Sequence, residues 1–206
     1  MKKPLGLPEY LEGRMIADPI SLFDCVMPCA GAEAFAVMRE SMARDKGLRF
    51  ARIASTIERT NAYPEDAMQL RGGWGVDVHE LWEMAGMAPD DMDLLQTYDD
   101  YPVISMMQIE DLGFCAKGEG AEFVRRHDLT IGGDFPHNTS GGQLSVGQAG
   151  AAGGYLGLVE ALRQVTGTAG ATQVAGARTA AVSGFGMINY DRGLCSAAAV
   201  ITGGAA

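Results

Sequence analysis

Only three histidines, His79, His127 and His137, occur in 206 residues, and they stand far apart along the chain. Its four cysteines, Cys25, Cys29, Cys115 and Cys195, form no repeated CxxC pairing. Zinc and other soft-metal sites need clustered imidazole or thiolate donors, so no metal centre is expected. Basic residues are also few. Sixteen Lys and Arg against 26 Asp and Glu leave a net charge of −10, which argues against a nucleic-acid binder and confines any phosphate contact to a local basic patch. No apolar run is long enough for a membrane span, and the first residues lack the core of a signal peptide. The expectation is a cytoplasmic protein with no membrane span, whose thiols are reduced and buried.

What the chain has instead is glycine, 28 residues of it, within a composition that is 47% hydrophobic. That combination indicates a folded α/β protein and not a disordered one. Residues 1–18 read as an irregular entry segment. Apolar patterning predicts strands at 21–26, 34–38, 48–57, 93–97, 179–183 and 197–201, and helices at 39–46, 77–85 and 155–165. Val103, Ile104, Met107 and Leu112 form the apolar face of a further helix, with Asp99 or Asp100 as its expected cap. This alternation predicts a layered sheet with helices on both faces.

The most informative stretch runs from Asn138 to Gly154, with Gly141-Gly142, Gly147, Gly150 and Gly153-Gly154 directly before the amphipathic run at 155–165. Glycine lets backbone N–H groups come close to a ligand, and a helix start offers unsatisfied donors at a positive dipole end. Such a loop suits a carbonyl oxygen that gains negative charge during a reaction. Tight packing of helix on sheet is the alternative reading of the same glycines.

Asn138-x-x-Gly141-Gly142, followed by Gly147-x-x-Gly150, resembles the C-terminal half of the thiolase superfamily, where Asn-x-x-Gly-Gly-x-x-x-x-Gly-His-Pro forms part of the active site. Tyr98-Asp99-Asp100-Tyr101, with Glu110-Asp111-Leu112-Gly113-Phe114-Cys115-Ala116-Lys117-Gly118-Glu119-Gly120, is similar to the sterol-carrier (SCP-x) and lipid-transfer branch. Met15-Ile16-Ala17-Asp18-Pro19 and Leu22-Phe23-Asp24-Cys25 fit the same branch. The resemblance implies the C-terminal half of a thiolase-like layered α/β fold, a mixed five-stranded sheet with helices on both faces. Residues 1–46 would be the end of the loop region and the last elements of the N-terminal half, and 47–206 the C-terminal domain. It further implies a subunit that processes an acyl-CoA thioester, by acyl transfer or carbon–carbon cleavage, with CoA thioester as substrate and no resident cofactor. The reactive cysteine of thiolases lies in the other half, so the implied partners are a polypeptide supplying that half and a small zinc-ribbon/OB-fold protein. A non-catalytic acyl- or lipid-binding scaffold subunit is the alternative.

Carried over position by position, Tyr98 takes the place of a residue that helps hold a catalytic water, where a phenol can donate a hydrogen bond or exchange a proton. A packed tyrosine is the competing reading. Gln148 stands where the family has the histidine of Gly-His-Pro, and an amide cannot take up a proton near neutral pH. His137 is then the nearest titratable substitute, as a base or as a supporting residue. Asn138, Gly141, Gly142 and Gly147 are expected at the substrate. Ser183-Gly184-Phe185-Gly186 resembles the place of Cys-x-Gly-Gly-Gly at the substrate, with Ser183 near its cysteine and Gly184 and Gly186 expected to shape the backbone near the acyl group. Tyr190-Asp191-Arg192 has the polar character to reach a partner or a substrate rim, Cys195 reads as a packed strand thiol, and His79 as structural.

Overall fold

Side chains that alternate between two apolar environments place the central sheet between two layers of helix. The computed structural model describes residues 4–189 and 192–204, so Tyr190 and Asp191 lie outside it. In chain order come helix α1 (Leu7–Leu11), the short antiparallel pair β1 (Met15–Ala17) and β2 (Ile20–Ser21), and helix α2 (Glu40–Asp45). Strand β3 (Ala51–Thr60), helix α3 (Trp74–Ala85), strand β4 (Leu94–Gln96) and helices α4 (Pro102–Asp111) and α5 (Gly120–Arg126) follow. Helices α6 (Gly142–Val146) and α7 (Leu156–Val165) precede the long strands β5 (Thr179–Asn189) and β6 (Arg192–Gly203).

The main sheet has the order β3-β6-β5-β4. β5 and β6 are antiparallel from Thr179↔Thr202 to Asn189↔Arg192, β3 pairs antiparallel with β6, and β4 runs parallel to β5. The period-2 pattern of β5 explains the layering. Ala180 and Val182 join Leu94, Ala161, Val165 and Ile201 under α7, whereas Ala181 and Phe185 join Trp74, Leu81, Ile109 and Leu112 under α3 and α4. Leu81 is fully buried there. Its truncation to alanine is expected to cost about 2–5 kcal/mol.

The α/β class and the helices on both faces agree with the sequence reading; the strand count is lower. Four strands form the main sheet among the described residues, and the edge beyond β4 holds a single parallel bridge, Leu95↔His137. Leu95 N donates to Pro136 O and Asn138 N donates to Leu95 O, at 3.0 and 3.1 Å. A fifth strand cannot extend from this bridge, because Pro136 has no N–H and Asn138 turns into the left-handed region at φ 44°. Two other expectations change. Residues 34–38 form no strand, leaving Phe35, Val37 and Met38 exposed, and 21–26 yield only the end of β2 before a 3-10 turn at Leu22–Asp24. Neither segment adds a strand to the main sheet among the described residues. Among the described residues, no helix is long and apolar enough to cross a membrane.

Candidate active site

The C-terminal end of β4 and the start of α7 meet at the glycine loop. Gly157 on α7 packs on β4, where an added Cβ would come within 3.3 Å of Gln96 Cβ, so this helix start lies against the end of the strand that leads into Tyr98. Tyr98 is half-buried and held by its backbone. Gln108 on α4, fully buried, accepts from Tyr98 N at 3.1 Å, donates to Tyr98 O at 2.7 Å, and accepts from the Ser183 hydroxyl at 2.6 Å.

Gln148, fifty residues further on, donates through Nε2 to the Tyr98 hydroxyl. The segment carrying it is fixed from outside the sheet: Gln148 N donates to Met27 O at 2.8 Å, and Cys29 N donates to Gln148 O at 3.0 Å. Gly147 makes this approach possible, since a Cβ there would lie 2.9 Å from both Cys29 Sγ and Met27 O. Gly147 is therefore accounted for by backbone packing. The Tyr98 phenol is pushed up from 10.0 by burial first, then by the nearby Asp100, while the Gln148 amide pulls it back.

Asp99 does not cap α4. That helix starts at Pro102 with Tyr101 as its cap residue and no side-chain cap bond, and proline at the first position has no N–H to satisfy. The Asp99 carboxylate turns instead to the start of α6, where it accepts from Gln143 N at 2.8 Å and Leu144 N at 3.5 Å. Gly141 and Gly142 have φ of 97° and 60°, and a Cβ on Gly142 would lie 2.6 Å from Asp99 Cγ. The N–H groups at the start of α6, a helix inside the glycine loop that the sequence reading did not foresee, are engaged by a side chain of the same fold. Burial raises the Asp99 carboxyl to about 6, against the lowering effect of these two N–H groups and of the Asn138 amide. Asp100 is also raised by burial, and its Oδ1 has no partner.

Asn138 joins the bridge at β4 to the glycine loop. Its Oδ1 accepts from Thr97 N at 2.8 Å and its carbonyl accepts from Gly141 N at 2.7 Å. His137 Nε2 lies 2.8 Å from Thr97 Oγ1, which donates to Ser105 Oγ at 2.9 Å; the imidazole is then the donor to Thr97, in its Nε2–H form. Desolvation lowers its pKa from 6.5 to about 4, so the ring is neutral and faces the β4–α4 junction. This geometry makes it a supporting residue for Thr97.

Tyr98, Asn138, Gly142 and Ser183 line one small cavity, together with Gln143 and Ser140, while Gln148 reaches it through the phenol. The space measures about 10 Å³, room for about one water molecule. Ser140 Oγ and Gln143 Oε1 are buried there without hydrogen-bond partners. Gly184 and Gly186 lie further along β5, where a Cβ on either would meet nothing within 4 Å, so there is room beside the strand. The cysteines correct the sequence reading: Cys29 is exposed and the other three are partly exposed. Cys115 and Cys195 are shifted up, by burial first and then by nearby carboxylates, away from the thiolate form. His79 is exposed on α3.

Sequence reasoning missed the residues that hold this arrangement in place. Thr139 Oγ1 donates to Glu160 at 2.7 Å and accepts from Gln96 and Gln164, both at 3.0 Å. All four side chains are buried between β4 and α7. Glu160 and Gln164, four apart on the inner face of an otherwise apolar helix, were the available signal.

Residues 65–199 match the family model described as "Thiolase C-terminal domain-like". The chain belongs to this thiolase C-terminal family. Its relatives include a 17-hydroxy-3-oxo-4-pregnene-20-carboxyl-CoA lyase of Mycobacterium tuberculosis, 31% identical over 81% of this chain and 44% of the relative. A steroid side-chain-cleaving aldolase of Thermomonospora curvata is 32% identical over 81% of this chain and 44% of the relative. The benzoylsuccinyl-CoA thiolase subunit BbsB of Thauera aromatica is 28% identical over 80% and 43%. Among solved structures, the Ltp2-ChsH2(DUF35) aldolase superposes with a TM-score of 0.78 and 25% identity, covering 98% of this chain and 52% of that one. The chain thus spans about half the length of the relatives it matches.

Proposed function

We propose that this chain is the C-terminal thiolase-like part of an enzyme that cleaves a carbon–carbon bond beside a CoA thioester by retro-aldol chemistry. Its proposed partner is a polypeptide carrying the N-terminal half of that fold, together with a small zinc-ribbon/OB-fold protein. One observation carries the reading: at the position of the family histidine stands an amide, and that amide hydrogen-bonds a phenol. Thiolysis needs a base to activate a thiol, and Gln148 cannot take a proton. Retro-aldol cleavage needs no thiol. The Tyr98 phenolate accepts the proton of a β-hydroxyl, that oxygen becomes a carbonyl, and the bond between the α and β carbons breaks. The electron pair passes to the thioester as an enolate, which takes up a proton at the α carbon. The unpartnered Ser140 hydroxyl is suited to donate to the enolate oxygen.

The test is cofactor economy. The native complex should cleave a β-hydroxyacyl-CoA with no free CoA added, and should not cleave a β-ketoacyl-CoA when free CoA is present. CoA-dependent cleavage of the ketoacyl substrate would overturn the reading. A second reading, a non-catalytic acyl-binding or scaffold subunit, is favoured by the very small cavity and by the engagement of the α6 donors with Asp99. Unchanged turnover in a complex carrying Tyr98→Phe, with turnover lost when the chain is omitted, would select it.

A further inference from the structure

A much larger cavity, about 610 Å³, opens at the other end of α7. It lies between the start of β3, the C-terminal turn of α7 and the start of β5, and Tyr98 stands at the far end of the parallel β4–β5 pair. Its size falls within the range of roughly 300–1,000 Å³ typical of small-molecule sites. Val165, Val174 and Ala177, all buried, form an apolar floor, and Phe50 forms one wall.

The rim has the opposite character. Arg49 and Arg178 both line the cavity, in a protein whose net charge is −10. Among the described residues, the Arg178 guanidinium has no hydrogen-bond or ion-pair partner, and Arg49 donates only one bond, to Gly167 O at 3.3 Å. Most other arginines of the chain are paired: Arg52 with Glu40, Arg59 with Asp77, Arg71 with Asp66 and Arg126 with Glu122. The polar side chains of the floor are already committed. Gln173 Nε2 donates to Gln164 Oε1 at 3.1 Å, and Gln164 Oε1 also accepts from Val174 N at 2.8 Å. The uncommitted side-chain donors identified at this cavity are therefore cationic, and its body is apolar.

We propose that this cavity is a second ligand site, separate from Tyr98, for a small molecule that joins an apolar body to a carboxylate or a phosphate. The apolar part rests on Val165, Val174 and Ala177, and the anion takes the donors of Arg49 and Arg178. Guanidinium matches both anions because each offers it two oxygens in a fork.

The experiment is photo-crosslinking of the native complex with a diazirine-tagged decanoate, followed by peptide mapping. Label should appear in the peptides spanning 44–50 and 164–178. It should fall about tenfold in Arg49→Gln/Arg178→Gln, while the exterior control Arg163→Gln keeps it. Decanoate and decyl phosphate should both compete; preference for one identifies a carboxylic acid or a phosphate monoester as the natural class. Label confined to other peptides, or equal labelling by the neutral tagged decanol, overturns the proposal, as does full labelling of the double variant. Mapping on the unaltered protein decides the matter even where the double variant misfolds.

Discussion

The Asp99 carboxylate stands where a side chain on Gly142 would have to go: a Cβ there would lie 2.6 Å from Asp99 Cγ and 2.8 Å from Oδ1. Gly142→Ala must displace the carboxylate from Gln143 N and also hold an L residue at φ 60°. The expected loss is at least ~2 kcal/mol in urea unfolding. The pair should be strongly non-additive, because Asp99→Ala removes the obstacle. Additive losses in the double variant would show that Gly142 is needed for its conformation alone.

Asp99 also gives a pH signature. Its carboxyl is raised from 3.8 to about 6, so the folded protein holds a proton that the unfolded chain has already released. Stability from this group is greatest at low pH, falls as pH rises through that window, and is flat above it, by roughly 3 kcal/mol in all. Asp99→Asn keeps an acceptor for Gln143 N and cannot ionise. Relative to the parent, the variant should gain stability between pH 4 and 7. A constant difference across that range would contradict the assignment.

His137 moves the other way. With its pKa lowered from 6.5 to about 4, the contribution of its neutral ring is complete above 6.5 and is lost as pH falls towards 4. Its imidazole proton resonances should stay constant across roughly pH 5–8, where an ordinary histidine titrates. A midpoint near 6.5 would place the ring in water and reopen its candidacy as a base.

Tyr98→Phe removes the phenol that Gln148 holds. In the native complex kcat should fall by about 10²–10⁴ with little change in KM, the pattern of a group acting in the transition state. Because burial and Asp100 raise the phenol above 10.0, the cleavage rate should climb with pH throughout the neutral range. A rate that is flat from pH 6 to 9 would remove Tyr98 from the proton transfer.

Thr139→Val keeps the shape and deletes the hydroxyl to which Gln96 and Gln164 donate and from which Glu160 accepts. Leaving these buried groups short of partners should cost about 2–4 kcal/mol, more than an isolated hydrogen bond. Adding Glu160→Gln should recover part of the loss, since a neutral amide is less costly to bury than a carboxylate left with donors from Gln164 and Thr172 alone. No recovery would mean that Glu160 does not depend on Thr139.

Much of this architecture was legible because burial leaves a periodic trace. Helix α7 and strands β5 and β6 carry 3.6- and 2-residue patterns that follow directly from their neighbours. The expected strand at 34–38 failed for the complementary reason: Phe35, Val37 and Met38 carry strand propensity, but they stay exposed and bury no face against the sheet. At the site, the resemblance selected Tyr98, Gln148 and Asn138, and the structure brings them together. The partner of the glycine pair was hidden. That Asp99 would serve α6 and leave α4 to Pro102 depends on a contact across more than forty residues, which no local pattern records.

Helix α7 and the strand β4 that positions Tyr98 rest on β5, and β5 is completed by β6. Ala51 finds its partner at Gly203, and Leu94 finds its partner at Ala180. During synthesis, Tyr98, Asn138 and the glycine loop therefore leave the ribosome well before the strand that organises them exists. Pairing over such sequence separations is slow, because loop closure must precede the contacts that reward it. The site is thus among the last parts of the molecule to assemble, and a chain stalled before β5 would display the α7 surface without its sheet.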